Sequence, residues 1–256
     1  MRYEWKDKVV LVTGASSGIG RALAVELGKR GARLGLLARR EEELLKTAEA
    51  VERAGGRALA VAADVRDADA VRAAAERVRG LWGKVDVLVA NAGMATVTGA
   101  ADLRAREAGD LITVNVIGVV NSVAAVLPEM IERGSGHLVA ISSLAAYRGM
   151  PKSSAYSASK AAVSTFFESL RVDLRRSGVA VTVIHPGFIR TPLTSGRKKL
   201  PFLLEVDDAA CRIIRAVERR ARTYAFPWQL AAVVRVIRHL PGRLYDRLAS
   251  NTSFRE

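Results

Sequence analysis

The run Lys8-Val-Val-Leu-Val-Thr13 passes directly into Gly14-Ala-Ser-Ser-Gly18-Ile-Gly20, and that loop into Arg21-Ala-Leu-Ala-Val-Glu-Leu-Gly-Lys-Arg30. An unbroken apolar run bounded by charge and glycine reads as a strand buried on both faces, which is the habit of parallel sheets. The stretch after the glycines has the apolar period of a helix. A strand, a glycine loop and a helix in that order make a phosphate cradle: the glycines let the backbone come close, and the helix N-terminus presents N–H donors and the positive end of a dipole. Gly14, Ser16, Ser17, Gly18, Ile19 and Gly20 are the candidate contacts in this loop.

The same alternation continues. Strands are predicted at residues 33–38, 58–62, 85–90, 137–141, 180–185 and 223–226, and helices at 41–54, 68–78, 109–133, 153–176 and 207–222. Gly55-Gly56 ends the second helix, and Gly178 ends the one at 153–176. Asp64 and Asp67 are rival N-caps for the third helix. Within 109–133, Asn115 and Gly118 cost helical stability, which marks a local break or a functional position. Seven strands alternating with helices predict an α/β fold: a doubly wound, parallel, seven-stranded sheet of Rossmann type in a single domain spanning 1–256. Residues 194–222 are the expected substrate lid region, its Gly-Arg-Lys-Lys run from Gly196 to Lys199 arguing for mobility. Residues 227–250 are the expected C-terminal helical tail. Ligands of such sheets sit at the carboxyl ends of the strands. Gly14, Arg39, Asp64, Asn91, Ser143 and Pro186 all fall at predicted strand ends, which argues for one shared cleft.

A second pattern lies at 142–160. Tyr156 and Lys160 are four residues apart, so a helix stacks them on one face. A tyrosine hydroxyl titrates near 10 and alone is a poor acid or base at neutral pH. A neighbouring ammonium favours the phenolate. Lowering the value by about three units takes roughly 4 kcal/mol of differential interaction. Ser143, thirteen residues upstream of Tyr156 and just past an apolar strand, is placed to hydrogen-bond an oxygen that Tyr156 protonates.

Ser143, Tyr-x-x-x-Lys at 156 and 160, and Thr-Gly-x-x-x-Gly-Ile-Gly from Thr13 to Gly20 resemble the short-chain dehydrogenase/reductase family, over nearly the whole chain up to about Thr191. The resemblance implies reversible hydride transfer between a nicotinamide and a carbonyl or secondary alcohol carbon. It implies Ser143, Tyr156 and Lys160 as the catalytic set, with Asn115 distorting its helix and holding a water beside the lysine. It gives Asp64 and Val65 a place near the adenine ring, and Tyr156 and Lys160 a further role at the ribose. The family's Asn-Asn-Ala-Gly is matched by Ala90-Asn91-Ala92-Gly93, with Ala in the first position. Asn91 is then a brace for the central sheet, and Gly93 lets the backbone pass close to the cofactor. Pro186-Gly187-x-Ile189-x-Thr191 matches the loop that holds the nicotinamide carboxamide.

The second strand ends at Ala38, followed by Arg39-Arg40. An acidic residue there would bond the ribose 2′-hydroxyl of NAD(H); a guanidinium suits the 2′-phosphate of NADP(H), which is therefore the expected cofactor. The rival reading pairs Arg39 and Arg40 with Glu41, Glu42 and Glu43 at a helix start. The expected substrate is a small-molecule carbonyl or alcohol of lipophilic character. A 3-oxoacyl-[acyl-carrier-protein] reductase and a non-catalytic NADP-binding regulator are the alternatives. A homodimer or homotetramer is expected.

Net charge is +14, and residues 190–256 carry 14 Lys and Arg against 6 Asp and Glu, a net +8. Proteome-wide arginine bias explains this as well as an anionic membrane surface or an acidic partner does. No zinc-ligand spacing and no interleaving of basic and aromatic residues points to a metal or to nucleic acid. One cysteine, Cys211, excludes an intramolecular disulfide and suits a reducing compartment, so a cytoplasmic location is expected. The charged N-terminus leads straight into the first strand and is not a signal peptide. Residues 227–240 place Leu230, Val233, Val234 and Ile237 at helical spacing beside Arg235 and Arg238. That face is expected to cover a lipophilic cleft or a subunit interface, with the arginines toward solvent or anionic lipid.

Overall fold

The computed structural model describes residues 3–196 and 200–250. In chain order the elements are β1 (Val9–Thr13), α1 (Gly18–Gly28), β2 (Arg33–Ala38), α2 (Glu41–Arg53), β3 (Arg57–Ala62), α3 (Ala68–Trp82), β4 (Val87–Ala90), α4 (Ala105–Ile112), α5 (Gly118–Ala124), α6 (Leu127–Glu132), β5 (Gly136–Ile141), α7 (Ser154–Asp173), β6 (Val179–Pro186), α8 (Val206–Glu218), β7 (Thr223–Phe226), α9 (Trp228–Arg238) and α10 (Gly242–Ser250). The strands form one seven-stranded sheet in the order β3-β2-β1-β4-β5-β6-β7, and every neighbouring pair is parallel.

The chain builds outward from β1 to β3, then crosses back and builds the other way from β4 to β7. The order reverses between β1 and β4, and a crevice opens there beyond the carboxyl ends. The central strands are mostly apolar because helices cover both faces, and the buried polar side chains of His137 and Thr182 bond each other. On one face Leu23 and Leu27 of α1 pack with Leu44 of α2 and Ile213 of α8. On the other, Val78 of α3, Val119 of α5 and Phe167 of α7 do the same. Only the edge strands β3 and β7 have exposed positions, as a sheet covered on its faces but open at its sides requires.

Asp67, not Asp64, caps α3: its carboxylate accepts from the N–H groups of Asp69 and Ala70, both at 3.0 Å. That leaves Asp64 for the cleft. The long helix expected at 109–133 is instead three helices joined by irregular turns. Residues Thr113–Ile117 form a π-turn between α4 and α5. The chain breaks again after Ala124, where Pro128 near the start of α6 has no N–H to continue the ladder. Gly118 is explained by packing: a Cβ there would lie 2.5 Å from Cγ2 of Val65. Its small size brings α5 onto the segment after β3.

The stretch 194–222 is also divided. Arg197, Lys198 and Lys199, on which its expected mobility rested, lie outside the described residues. Thr194 and Pro201 line the cleft, but α8 is a core helix: Ala209, Ala210, Ile213, Ile214 and Val217 are buried, and it packs on α1. The helical tail is two helices, α9 and α10, separated at Pro241. Among the described residues no helix is long and apolar enough to cross a membrane, and no group of three His, Cys, Asp or Glu side chains could hold a metal ion.

Candidate active site

A cleft of about 560 Å³ runs along the carboxyl ends of the strands. Its first wall is the loop between β1 and α1. Gly14 has φ +67°, where an L side chain is strained, and a Cβ there would meet Cα of Ala92 at 2.8 Å. Gly20 lies one layer deeper than the sequence suggested. It does not line the cleft; a Cβ on it would approach the Gly14 carbonyl oxygen to 2.3 Å, so it sets how closely α1 sits against β1. Ser17 precedes α1 without capping it through its side chain, and Gly18 and Ile19 of the first turn line the cleft. The first N–H groups of α1 thus have no side-chain acceptor, which suits an anion.

Arg39 and Arg40 both reach the cleft, but differently. Arg40 Nη2 donates to Oγ of Ser16 (3.1 Å) and Oγ of Ser17 (2.8 Å), tying the end of β2 to the glycine loop. Arg39 is largely exposed, with Nη1 4.0 Å from Oδ2 of Asp64. The glutamates that rivalled this placement turn elsewhere: Glu42 and Glu43 pair with Lys46. Asp64 is held mainly by Arg66, through Nε at 2.9 Å and Nη2 at 2.7 Å. The Arg66 hydrogen bond, with Arg39 adding to it, keeps the Asp64 carboxyl below the usual carboxylate range. Val65 lines the cleft beside it.

Asn91 braces the two halves of the sheet. Its Nδ2 donates to the carbonyls of Thr13 (3.0 Å) and Gly14 (3.3 Å), while Oγ1 of Thr13 accepts from the N–H groups of Asn91 and Ala92, both at 3.1 Å. Gly93 follows, and a Cβ on it would lie 3.2 Å from Oδ1 of Asn115 and 3.5 Å from Nζ of Lys160. Asn115 itself is fully buried and stands behind the cleft lining. Its Oδ1 accepts from Met94 N–H (2.8 Å); its Nδ2 donates to Met94 O and to Ser159 Oγ, both at 2.9 Å. The π-turn widens the helix at this point and lets the amide face the Met94 backbone.

Ser143, Tyr156 and Lys160 open onto the same part of the cleft. Ser143 Oγ accepts from Ala145 N–H at 3.1 Å, which uses a lone pair and not the hydroxyl proton. Lys160 Nζ lies 5.9 Å from the Tyr156 ring centroid and donates to the Ile141 carbonyl at 2.9 Å. Burial pushes the Lys160 ammonium down to about 8. It stays mostly protonated at neutral pH, close to the pH at which it can release a proton. Three supports were not foreseen. Ser142 Oγ donates to the Lys160 carbonyl at 2.9 Å, and Ser159 Oγ to the Tyr156 carbonyl at 2.8 Å, so hydroxyls grip α7 where the pair sits. His185 Nδ1 lies 3.1 Å from the Ser143 carbonyl. Serines in a Ser-Ala-rich stretch give no sequence signal for such roles.

The far wall is apolar. Pro186, Gly187 and Ile189 line it, joined by Leu144 and Phe188, and Thr191 beside them reaches back to the first wall, where a Cβ on Gly18 would lie 3.4 Å from its side chain. Leu230, Val233, Val234 and Ile237 of α9 complete it, all four from the face anticipated in the sequence. Arg148 fixes α9 in place: Nη1 donates to the carbonyls of Arg238 and Leu240 at 2.9 Å and of Ile237 at 3.3 Å. A guanidinium at a helix C-terminus satisfies orphan carbonyls and complements the dipole. The same guanidinium stacks 4.2 Å above the Tyr245 ring of α10, whose hydroxyl donates to the Gly149 carbonyl.

A glycine loop at the first turn of a doubly wound sheet, sharing one cleft with a tyrosine and a buried lysine, defines a dinucleotide-dependent oxidoreductase. The comparisons agree. Residues 8–200 match the family model for short chain dehydrogenase. An uncharacterized oxidoreductase of Myxococcus xanthus is 44% identical over 250 residues, 96% of this chain and 98% of that one. The oxidoreductase UcpA of Salmonella typhimurium is 40% identical over 187 residues, 73% of this chain and 71% of its own. A short chain dehydrogenase/reductase from Burkholderia phymatum, solved in complex with NAD, superposes with a TM-score of 0.85 at 25% identity, covering 99% of this chain and 98% of that one. The chain belongs to the short-chain dehydrogenase/reductase family. The residues present fit a nicotinamide dinucleotide: the uncapped first turn of α1 offers donors at one end, and the cleft has the volume of a cofactor site.

Proposed function

We propose that this oxidoreductase uses NADP(H) to interconvert a carbonyl and a secondary alcohol on a lipophilic small molecule. One observation carries the reading: Ser143, Tyr156 and Lys160 share their cleft with the apolar face of α9. A nicotinamide held in this cleft would supply or accept the hydride. Ser143 hydrogen-bonds the substrate oxygen through its hydroxyl and orients it, keeping its own proton. Tyr156 gives that oxygen its proton in reduction and takes it back in oxidation. Lys160 favours the phenolate and holds the ribose hydroxyls. Asn115 is a positioning residue, acting through Met94 and Ser159 on the floor beneath the pair. The glycine loop and Arg40 hold the phosphates at the adenine end, and Ala38 followed by Arg39 favours a 2′-phosphate over a bare hydroxyl.

A panel of ketones, from short and polar to bulky and apolar, assayed with NADPH and NADH by nicotinamide absorbance, tests the proposal. The highest kcat/KM is expected for a bulky apolar ketone with NADPH. A higher value on a carrier-protein 3-oxoacyl thioester would move the assignment to a 3-oxoacyl-[acyl-carrier-protein] reductase, and no turnover of any carbonyl would leave a cofactor-binding regulator. Arg148 gives a second prediction. Arg148→Ala removes the charge-assisted bonds that hold α9, so KM for the best apolar ketone should rise about tenfold, the equivalent of one such bond. The Kd of NADPH should change far less than KM, because α9 meets the cofactor side of the cleft at Gly187, against Leu230, while the glycine loop, Arg39, Arg40 and Asp64 belong to other elements. Steady-state kinetics beside a fluorescence titration of NADPH separates the two effects.

A further inference from the structure

The helix that walls the cleft has a second face. Leu230, Val233, Val234 and Ile237 look into the cleft. On the opposite side Trp228, Ala232 and Val236 follow at intervals of four and form one stripe along α9. Trp228 is 73% exposed and Val236 66%. Leu244 and Leu248, again four apart, are exposed on α10. Val233 lines the cleft and is itself half exposed, so the outer surface of α9 meets the mouth of the cleft there. Large apolar side chains bare in this number on two consecutive helices ask for a partner.

The charges on the same helices choose among partners. Residues 227–250 contain four arginines, Arg235, Arg238, Arg243 and Arg247, against one acid, Asp246, a net +3. All four arginines are exposed. A second copy of the same face would bring +3 against +3, which opposes self-association. An anionic bilayer surface pairs with the arginines and takes the tryptophan and aliphatic side chains into its interfacial region. We propose that α9 and α10 dock this protein on anionic membrane surfaces, with the mouth of the cleft beside the lipid. The helices do not span: neither is long enough, and the arginines stay at headgroup level. Docking rests on the outer face alone and does not depend on which carbonyl the cleft reduces.

Flotation of the full-length protein with phosphatidylcholine vesicles, and with the same vesicles containing a third phosphatidylglycerol, tests this. Binding is expected only to the anionic vesicles, at 0.1 M salt, and is expected to fall steeply at 1 M, where the Debye length drops from about 10 Å to about 3 Å. Trp228 fluorescence should shift to the blue on binding: Trp5 is buried already, and the partly buried Trp82 of α3 is common to the parent and the Trp228→Ser variant, so the difference between them belongs to Trp228. Arg243→Ala with Arg247→Ala should weaken partitioning roughly 25-fold, about fivefold for each arginine. Trp228→Ser with Val236→Ser should abolish the blue shift and weaken flotation while leaving ketone turnover in detergent-free buffer unchanged, because neither residue lines the cleft. The proposal is overturned if the unmutated protein never floats with anionic vesicles, or if the Trp228→Ser, Val236→Ser protein floats as well as its parent. It is equally overturned if that double variant turns a dimer into a monomer with no vesicle binding in either form, since the face would then join copies of this chain.

Discussion

Tyr156→Phe is expected to lower kcat by about a hundred- to ten-thousand-fold, the usual contribution of a positioned acid or base, and to leave NADPH binding nearly unchanged. The change deletes one oxygen from a partly buried ring and keeps its volume. Lys160 remains fixed by its own bond to the Ile141 carbonyl, independently of the tyrosine. Ser142, Ser159 and Asn115 continue to brace the helix through backbone atoms and each other. What disappears is the proton donor for the substrate oxygen. Ser143 cannot replace it, because a serine hydroxyl does not ionise in the working range and can only share its proton. Single-turnover measurement with saturating NADPH, alongside a binding titration and a melting curve, checks each part. Turnover within a few fold of the parent protein would defeat the mechanism.

How much of this was legible follows from the range over which each feature is decided. The seven strands could be read because most are short apolar runs closed by glycine, proline, charge or a small polar residue, and a parallel sheet covered on both faces needs nothing subtler. The cleft could be read because its residues sit at strand ends. The α9 wall was visible too, since a helical stripe is a local pattern. The break of the helix at 113–117 was only half visible: Asn115 and Gly118 flagged it, but the cause lies in Met94 and Val65, distant in sequence. Gly20 looked like a phosphate contact because it belongs to the motif; its neighbour is Asn91, from the far side of the sheet. Arg148 gave no signal at all. Its partners are carbonyls about ninety residues away, and a backbone acceptor has no signature in a sequence.

The pair Arg39→Ala and Ala38→Asp is expected to turn an NADPH-preferring enzyme into an NADH-preferring one. The first change removes the exposed Arg39 guanidinium, which can move onto a 2′-phosphate at the cost of one loose pair with Asp64 at 4.0 Å. The second places a carboxylate at the carboxyl end of β2, where it accepts from a ribose 2′-hydroxyl and repels a phosphate. Hydrogen bonds to charged groups contribute roughly 1.5 to 3 kcal/mol each. Two such changes of opposite benefit to the two cofactors move the ratio of affinities by about two to four decades. Asp64 tolerates the loss of Arg39 because Arg66 supplies its two shortest bonds. Arg40→Ala is the control. That guanidinium already bridges Ser16 and Ser17, so its removal should loosen the glycine loop and weaken both cofactors together, leaving their ratio nearly fixed. Calorimetric titration of both cofactors into the three proteins decides the matter. Equal affinity of the unmutated protein for NADH and NADPH would show that neither arginine reads the 2′-phosphate, and a variant that kept its NADPH preference would move that role from Arg39 to Arg40.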